Sequence, residues 1–416
     1  MAYAPPYSGF IEDLGGTSYG LVHLAMATIA YTCQDYPLSI AANMASAVAA
    51  MPAITQSQLP STGYWNLDWG PALCTNAGGL FNDNLIAILS YREGSSSGTP
   101  LFFAVICRGT DAGGGLAQVT EDLDAFSLQP WANVLSGAYS YGGSTNGWTL
   151  QNPASLAVPS SATGNVAQGS ADALIAVSNL VQYSEINSQT PTYLAGELLS
   201  LLNSYPGTPV IVTGHSLGGA LTQVVAAYLN WQLSGLSTAS PVIAHAFAPP
   251  TVGDADFVTY YNGIFGSSSQ FWVNQDDLVP CAFSEPALDN AGNLWGKYQW
   301  PSGFLNYGPT VFGTGNAAKH EEHLVEQQEL VKEIAKYVPA YARPENVQLM
   351  PLTSTMTLPS QQEMQTFLTN EGANPANWNT WGSVLMYQHL TPTYYGLVKA
   401  VSGVLSYPEV TAQQTP

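Results

Sequence analysis

"VTGHSLGGALTQ", residues 212–223, sets a serine between glycines at the point where an apolar run ends and a helix-like pattern begins. A serine hydroxyl is a poor nucleophile unless it is held clear of the backbone and beside a base. A sharp strand-to-helix turn provides the exposure, and Gly214 and Gly218 relieve the backbone crowding that such a turn creates. The helix that follows would put its positive dipole end beneath a developing oxyanion. A bare G-x-S-x-G match arises easily by chance in a glycine- and serine-rich chain. Here the β-rich "PVIVT" (209–213) precedes it and the helical "ALTQVVAAYL" (220–229) follows it, so the flanks make Ser216 a candidate nucleophile rather than a turn residue.

Working outward, "NDNLIAILSYRE" (82–93), "LFFAVICRGT" (101–110), "SPVIAHAFAPP" (240–250) and "SSQFWVNQDD" (268–277) are further β-rich runs. Helical spacing covers 171–202 and 222–233. Strand, turn and helix therefore alternate from about 75 to 280, which predicts an α/β fold with a mostly parallel central sheet flanked by helices, extended by helical and loop-rich segments. The head is predicted to be helical over 20–31 and 40–50, with "YWNLDWGPALCTNAGG" (64–79) as a turn-rich loop. Residues 131–165 are rich in Gly, Ser, Asn and Pro and carry no period, so they read as an irregular excursion. Downstream, "HEEHLVEQQELVKEIAKYV" (320–338) is an amphipathic helix and "SVLMYQHLTPTYYGLVKAVSGVL" (383–405) a further helical stretch. The chain is read as one domain over 1–416. Its core spans about 75–282 plus 380–405, with a helical extension at 1–74 and an insertion at 283–379 that serves as a cap or pocket wall.

Composition removes several function classes. With 46% hydrophobic and only 9% charged residues, the chain is globular material. Eight Lys and Arg against 28 Asp and Glu give a formal charge of −20, which repels nucleic acid and anionic lipid surfaces. The cysteines, Cys33, Cys74, Cys107 and Cys281, form no C-x-x-C pair, and Cys107 reads as a buried thiol in a strand. No metal or cofactor motif is present, and Asp254 and Asp256 read as loop and helix-cap residues rather than calcium ligands. The N-terminus as written carries no secretory leader, so secretion would require that one had been removed, and no apolar run reaches about 20 residues.

G-H-S-L-G-G-A at 214–220, "ICRGTD" upstream, and "FAPPTVGDADFVTYYN" and "FWVNQDDLVP" downstream together resemble the class 3 lipase family of α/β-hydrolases. The likeness covers roughly 80–282 and a short piece near 389. It implies an α/β-hydrolase fold and a serine carboxylic ester hydrolase that passes through an acyl-enzyme. It also implies that the "RGT" segment supplies one oxyanion donor, the backbone N–H and hydroxyl of Thr110, and that the N–H of Leu217 supplies the other. The family pattern of aspartate, any residue, valine, proline fits Asp277-Leu278-Val279-Pro280, so Asp277 rather than Asp276 is the expected acid. It sits at a strand end, where it can orient an imidazole.

For the base, chain order in this fold places the histidine after the acid, which leaves His320, His323 and His389 of the six histidines. His320 and His323 open a highly charged helix and read as solvated. His389 resembles the family's terminal histidine, followed by an aromatic residue a few positions on, and is the expected base. His23 and His245 lie in apolar runs and read as satisfied core residues, and His215 belongs to the turn and points away from Ser216.

Residues 111–131 read either as a lid or as an ordinary amphipathic surface helix: Leu116, Val119, Leu123 and Phe126 form one helical stripe, and Gly113–Gly115 would be the hinge of a lid. The resemblance implies a lipid or other neutral ester as substrate, transient contact with a lipid interface, and triacylglycerol hydrolysis as the leading activity. The alternatives are a phospholipase, an esterase for short or aromatic acyl groups, and a non-catalytic lipid-binding protein. Oligomeric state and acyl-chain preference are open.

Overall fold

In a computed structural model the described residues are 19–33, 40–55, 59, 63–75, 82–109, 127–141, 147–182, 192–277, 279–281, 341–344, 347–350, 360–370, 373–378 and 381–402. In chain order the helices and strands are α1 (Gly20–Ile29), α2 (Ile40–Thr55), β1 (Gly63–Thr75), β2 (Asn82–Glu93), β3 (Pro100–Cys107), β4 (Leu128–Pro130), α3 (Trp131–Ser136), β5 (Asn165–Ala167) and α4 (Gln168–Ser178). Then follow α5 (Leu194–Ser204), β6 (Val210–His215), α6 (Leu217–Leu233), β7 (Val242–Phe247), β8 (Gly253–Asp254), α7 (Ala255–Phe265) and β9 (Ser269–Asn274). The last are β10 (Tyr341–Ala342), β11 (Val347–Met350), α8 (Gln361–Asn370), α9 (Trp381–His389) and α10 (Thr391–Ser402).

Seven strands form the central sheet in the order β1-β2-β3-β6-β7-β9-β11. The first two pairings are antiparallel and all those from β3 to β11 are parallel. Both faces are buried, as a parallel sheet requires. Along β3, Phe103, Val105 and Cys107 enter the large core under α4, α5, α6 and α7, while Phe102, Ala104 and Ile106 enter a second core under α1 and α2. This two-residue alternation explains why the strands read as nearly continuous apolar runs. Cys107 is the buried thiol expected, its pKa pushed far up by burial.

The aromatic loop expected at 64–79 is instead largely strand, because β1 runs from Gly63 to Thr75. That stretch contains Gly70 and Pro71, residues that commonly break a strand. An edge strand tolerates both residues, and the pairing with β2 absorbs them at irregularities between Leu67 and Trp69 and between Trp69 and Ala72. The excursion is bracketed by β4 and β5, which pair antiparallel and bring 128–130 back to 165–167. Asp254 caps α7 by accepting from the Phe257 amide at 2.9 Å, as its position before the apolar helix suggested.

His23 on α1 and His245 on β7 are fully buried, with ring centroids 3.9 Å apart. The expectation of satisfied core histidines fails for His23, since neither of its ring nitrogens has a hydrogen-bond partner. His245 Nδ1 accepts from the Trp272 indole at 3.2 Å. Burial, and then the neighbouring His245, hold the pKa of His23 well below 6.5. The unfolded chain therefore takes up a proton that the native state refuses, so stability attached to His23 is intact above about pH 6.5 and lost as the pH falls below it. The expected loss is about 1.4 kcal/mol per pH unit. Urea unfolding of wild type and His23→Phe at pH 7 and pH 5 checks this: the variant should show the shallower decline, and parallel declines would refute the assignment.

Candidate active site

Ser216 sits between β6 and α6 with φ 61° and ψ −128°, a backbone conformation that costs a non-glycine residue roughly 1–3 kcal/mol. Hydrogen bonds on both sides impose it. The Ser216 amide donates to the Phe247 carbonyl on β7 at 2.9 Å, and the Ser216 carbonyl accepts from the amides of Gly219 at 2.8 Å and Ala220 at 3.1 Å. The two motif glycines are needed for close approach rather than for unusual dihedrals. A Cβ on Gly214 would lie 2.2 Å from the Gly218 carbonyl oxygen, and one on Gly218 would lie 2.3 Å from the Cys107 carbonyl oxygen. The turn thus packs directly on the end of β3, and the serine side chain is carried out at the C-terminal edge of the sheet.

Three distant segments meet there. Ser216 Oγ lies 2.8 Å from His389 Nε2, and His389 Nδ1 lies 2.8 Å from Asp277 Oδ2, across 112 residues of chain. Ser216 is 5% exposed and Asp277 1%. Asp277 is oriented by two further donors: the Val279 amide reaches its Oδ1 at 3.0 Å, and the Tyr394 hydroxyl reaches its Oδ2 at 2.8 Å. The neighbouring Asp276 helps form the turn, its backbone amide donating to the Asn274 side-chain oxygen at 3.1 Å. Leu217 opens α6, so its amide has no acceptor within the helix and lies beside the serine. Thr110, most of the 111–131 segment, His320 and His323 lie outside the described residues.

Asn274 at the end of β9 donates to the carbonyl and to the side-chain oxygen of Gln388, at 2.8 and 2.9 Å. Its own amide donates to the Tyr394 hydroxyl at 3.0 Å. These bonds dock the end of α9, and with it His389, against the strand that leads to Asp277. Such buried, mutually satisfied polar contacts fix geometry in a way that apolar packing alone does not.

Residues 104–286 match the sequence model of the family described as lipase (class 3). This stretch is a class 3 lipase segment. The chain is 32% identical over 105 residues to the secreted mono- and diacylglycerol lipase 3 of Gibberella zeae, a match covering 25% of this chain and 32% of that protein. It is 35% identical over 101 residues to a lipase of Rhizomucor miehei, covering 24% of this chain and 26% of that protein. The chain therefore spans about a third or less of the curated relatives it matches. Against the solved structure of M37 lipase the TM-score is 0.55 at 17% identity, over 94% of both chains, a likeness of fold that agrees with the α/β-hydrolase architecture described above.

Asn274, Gln388 and Tyr31 were not singled out from the sequence. Asn274 stands three residues before Asp277 and Gln388 immediately before His389, so adjacency to the expected acid and base was the available signal. Tyr394 is the aromatic residue expected a few positions after the histidine, and its contact with Asp277 gives that spacing a physical reason.

Proposed function

We propose that the protein is a serine carboxylic ester hydrolase acting on neutral acylglycerols through an acyl-enzyme. The observation that carries this is the unbroken line of hydrogen bonds from Ser216 Oγ through the His389 ring to Asp277, at 2.8 Å for each step. Ser216 Oγ attacks the ester carbonyl while His389 Nε2 takes its proton. His389 then passes that proton to the leaving alkoxide as the carbon–oxygen bond breaks. Water, deprotonated by the same nitrogen, attacks the acyl-enzyme and releases the acid. Asp277 holds the Nδ1–H tautomer and stabilises the imidazolium.

The oxyanion is assigned to the Leu217 amide and to Thr110, the latter on sequence grounds; losing one fixed donor costs about 3 kcal/mol of barrier. The name of the Gibberella zeae relative supports acylglycerols as the substrate class, and the charge of −20 favours neutral esters over anionic ones. Residues 75–282 and 380–405 are read as one catalytic unit, with 1–74 as an extension and 283–379 as a cap or pocket wall.

The test is an alkyl fluorophosphonate, which should bond irreversibly to Ser216 alone. It should abolish hydrolysis of emulsified diacylglycerol and of p-nitrophenyl esters in proportion to the label. Faster turnover of phospholipid vesicles than of diacylglycerol would move the assignment to a phospholipase. Neither labelling nor hydrolysis would leave the non-catalytic lipid-binding alternative.

A further inference from the structure

His215 precedes the nucleophile in the chain, yet its side chain faces the other way. Its Nε2 lies 2.7 Å from the backbone carbonyl oxygen of His389, and its Nδ1 lies 3.1 Å from the Tyr31 hydroxyl. A carbonyl can only accept, so Nε2 carries the proton and Nδ1 is left as an acceptor. The Tyr31 hydroxyl is the donor that matches it, sharing its hydrogen with the His215 carbonyl oxygen at 3.0 Å. The ring's tautomer is thus dictated by its neighbours. His389 ends α9, where the last carbonyls have no intrahelical donor. The His215 ring supplies one.

We propose that His215 is a positioning residue that ties the backbone of the base His389 to the residue adjoining the nucleophile, with Tyr31 holding the His215 ring in the tautomer this requires. The inference rests on the ester-hydrolase reading of Ser216 and His389. Asp277 fixes the direction of the His389 ring but acts only on the side chain. The hydrogen bond from His215 acts on the main chain, and it comes from a residue whose own main chain continues into Ser216. It therefore sets the separation between two groups that lie 173 residues apart in sequence and must stay in reach through one proton transfer in each direction per turnover.

The same arrangement demands a neutral His215. Its ring centroid is 4.9 Å from that of His389, so a charge there would oppose the imidazolium formed during turnover. Burial, and then the proximity of His389, hold its pKa well below 6.5. The rings facing it are Tyr31, His389 and Tyr394, the last at 5.5 Å between centroids, and the nearest carboxylate on those partners is Asp277, already engaged by His389 and Tyr394.

The experiment compares kcat and KM for a soluble p-nitrophenyl ester in wild type, His215→Phe, His215→Gln and Tyr31→Phe, with circular dichroism to establish folding. His215→Phe removes the donor and should lower kcat by about 10- to 100-fold with KM within about twofold, since a misplacement of about 1 Å can cost 10²-fold. The amide nitrogen of His215→Gln can occupy the Nε2 position and should restore kcat to within about threefold of wild type. Tyr31→Phe frees the tautomer and should lower kcat by about 3- to 10-fold. A folded His215→Phe with wild-type kcat overturns the inference. If that variant does not fold, wild-type kcat in Tyr31→Phe, or a loss in His215→Gln equal to that of an inactive mutant, overturns it instead. Wild-type protein that hydrolyses no ester refutes the hydrolase reading itself, an outcome visible before any variant is made.

Discussion

Ser216→Ala should lower kcat for ester hydrolysis by about 10⁶-fold, and His389→Ala should do nearly the same. In the proposed mechanism the two side chains form one device, since the hydroxyl reacts only as His389 Nε2, 2.8 Å away, takes its proton. Removing either leaves the other idle, so the double variant should be no slower than the worse single one. The residual rate would come from substrate binding and the oxyanion donors, which survive both changes. Stability should move little for the serine variant, because alanine at φ 61° keeps the same backbone strain and the hydroxyl's bond to His389 is the contact removed. Measurement of single and double variants on one soluble ester checks the set. A Ser216→Ala enzyme that kept a tenth of wild-type kcat would remove Ser216 as nucleophile.

Asp277→Asn is expected to cost about 10⁴-fold in kcat while leaving the fold intact. The new amide has two ways to sit, and the surroundings choose between them. The Val279 amide donates to Oδ1 at 3.0 Å, so the amide oxygen takes that position and the NH₂ group turns toward His389. An NH₂ facing Nδ1 requires that nitrogen to be bare, which moves the ring proton to Nε2. His389 then presents a donor to Ser216 where it must present an acceptor. The Tyr394 hydroxyl, which donates to Oδ2 at 2.8 Å, loses its acceptor as well. Asp276→Asn should cost far less, because it is Asp277 Oδ2 that lies 2.8 Å from His389 Nδ1. Equal losses in the two variants would contradict the assignment of the acid.

The elbow was legible in the sequence because its meaning is local: a strand, two small residues that allow close packing, and a helix all lie within 25 residues of Ser216. Asp277 was legible for the same reason, standing at the end of a β-rich run next to Val279 and Pro280. His389 was not local at all. It was reached through chain order and through resemblance to a family, and only the fold supplies the physical reason, which is that Asn274 and Tyr394 bind the two sides of its segment to β9. β1 was misread because Gly70 and Pro71 interrupt its pattern, and their tolerance depends on the strand lying at the sheet edge, a tertiary fact. His23 and His215 illustrate the opposite difficulty. His23 sits in an apolar run and His215 inside the turn, and what distinguishes them is the neighbour that folding brings to each: a second buried imidazole for His23, and the His389 carbonyl for His215.

The helix that follows the base does not stand by itself. Tyr394 and Val398 of α10 pack with Leu21, Leu24 and Ala27 of α1, over Phe247, Ala248 and Trp272 at the ends of β7 and β9. The two extremities of the described chain thus lean on each other beside the reactive serine, like the meeting halves of a clasp. Removing α1, which carries none of the proposed reacting groups, would loosen α10 and with it the segment from which His389 hangs. For protein engineers, α1 belongs to the mounting of the proposed base.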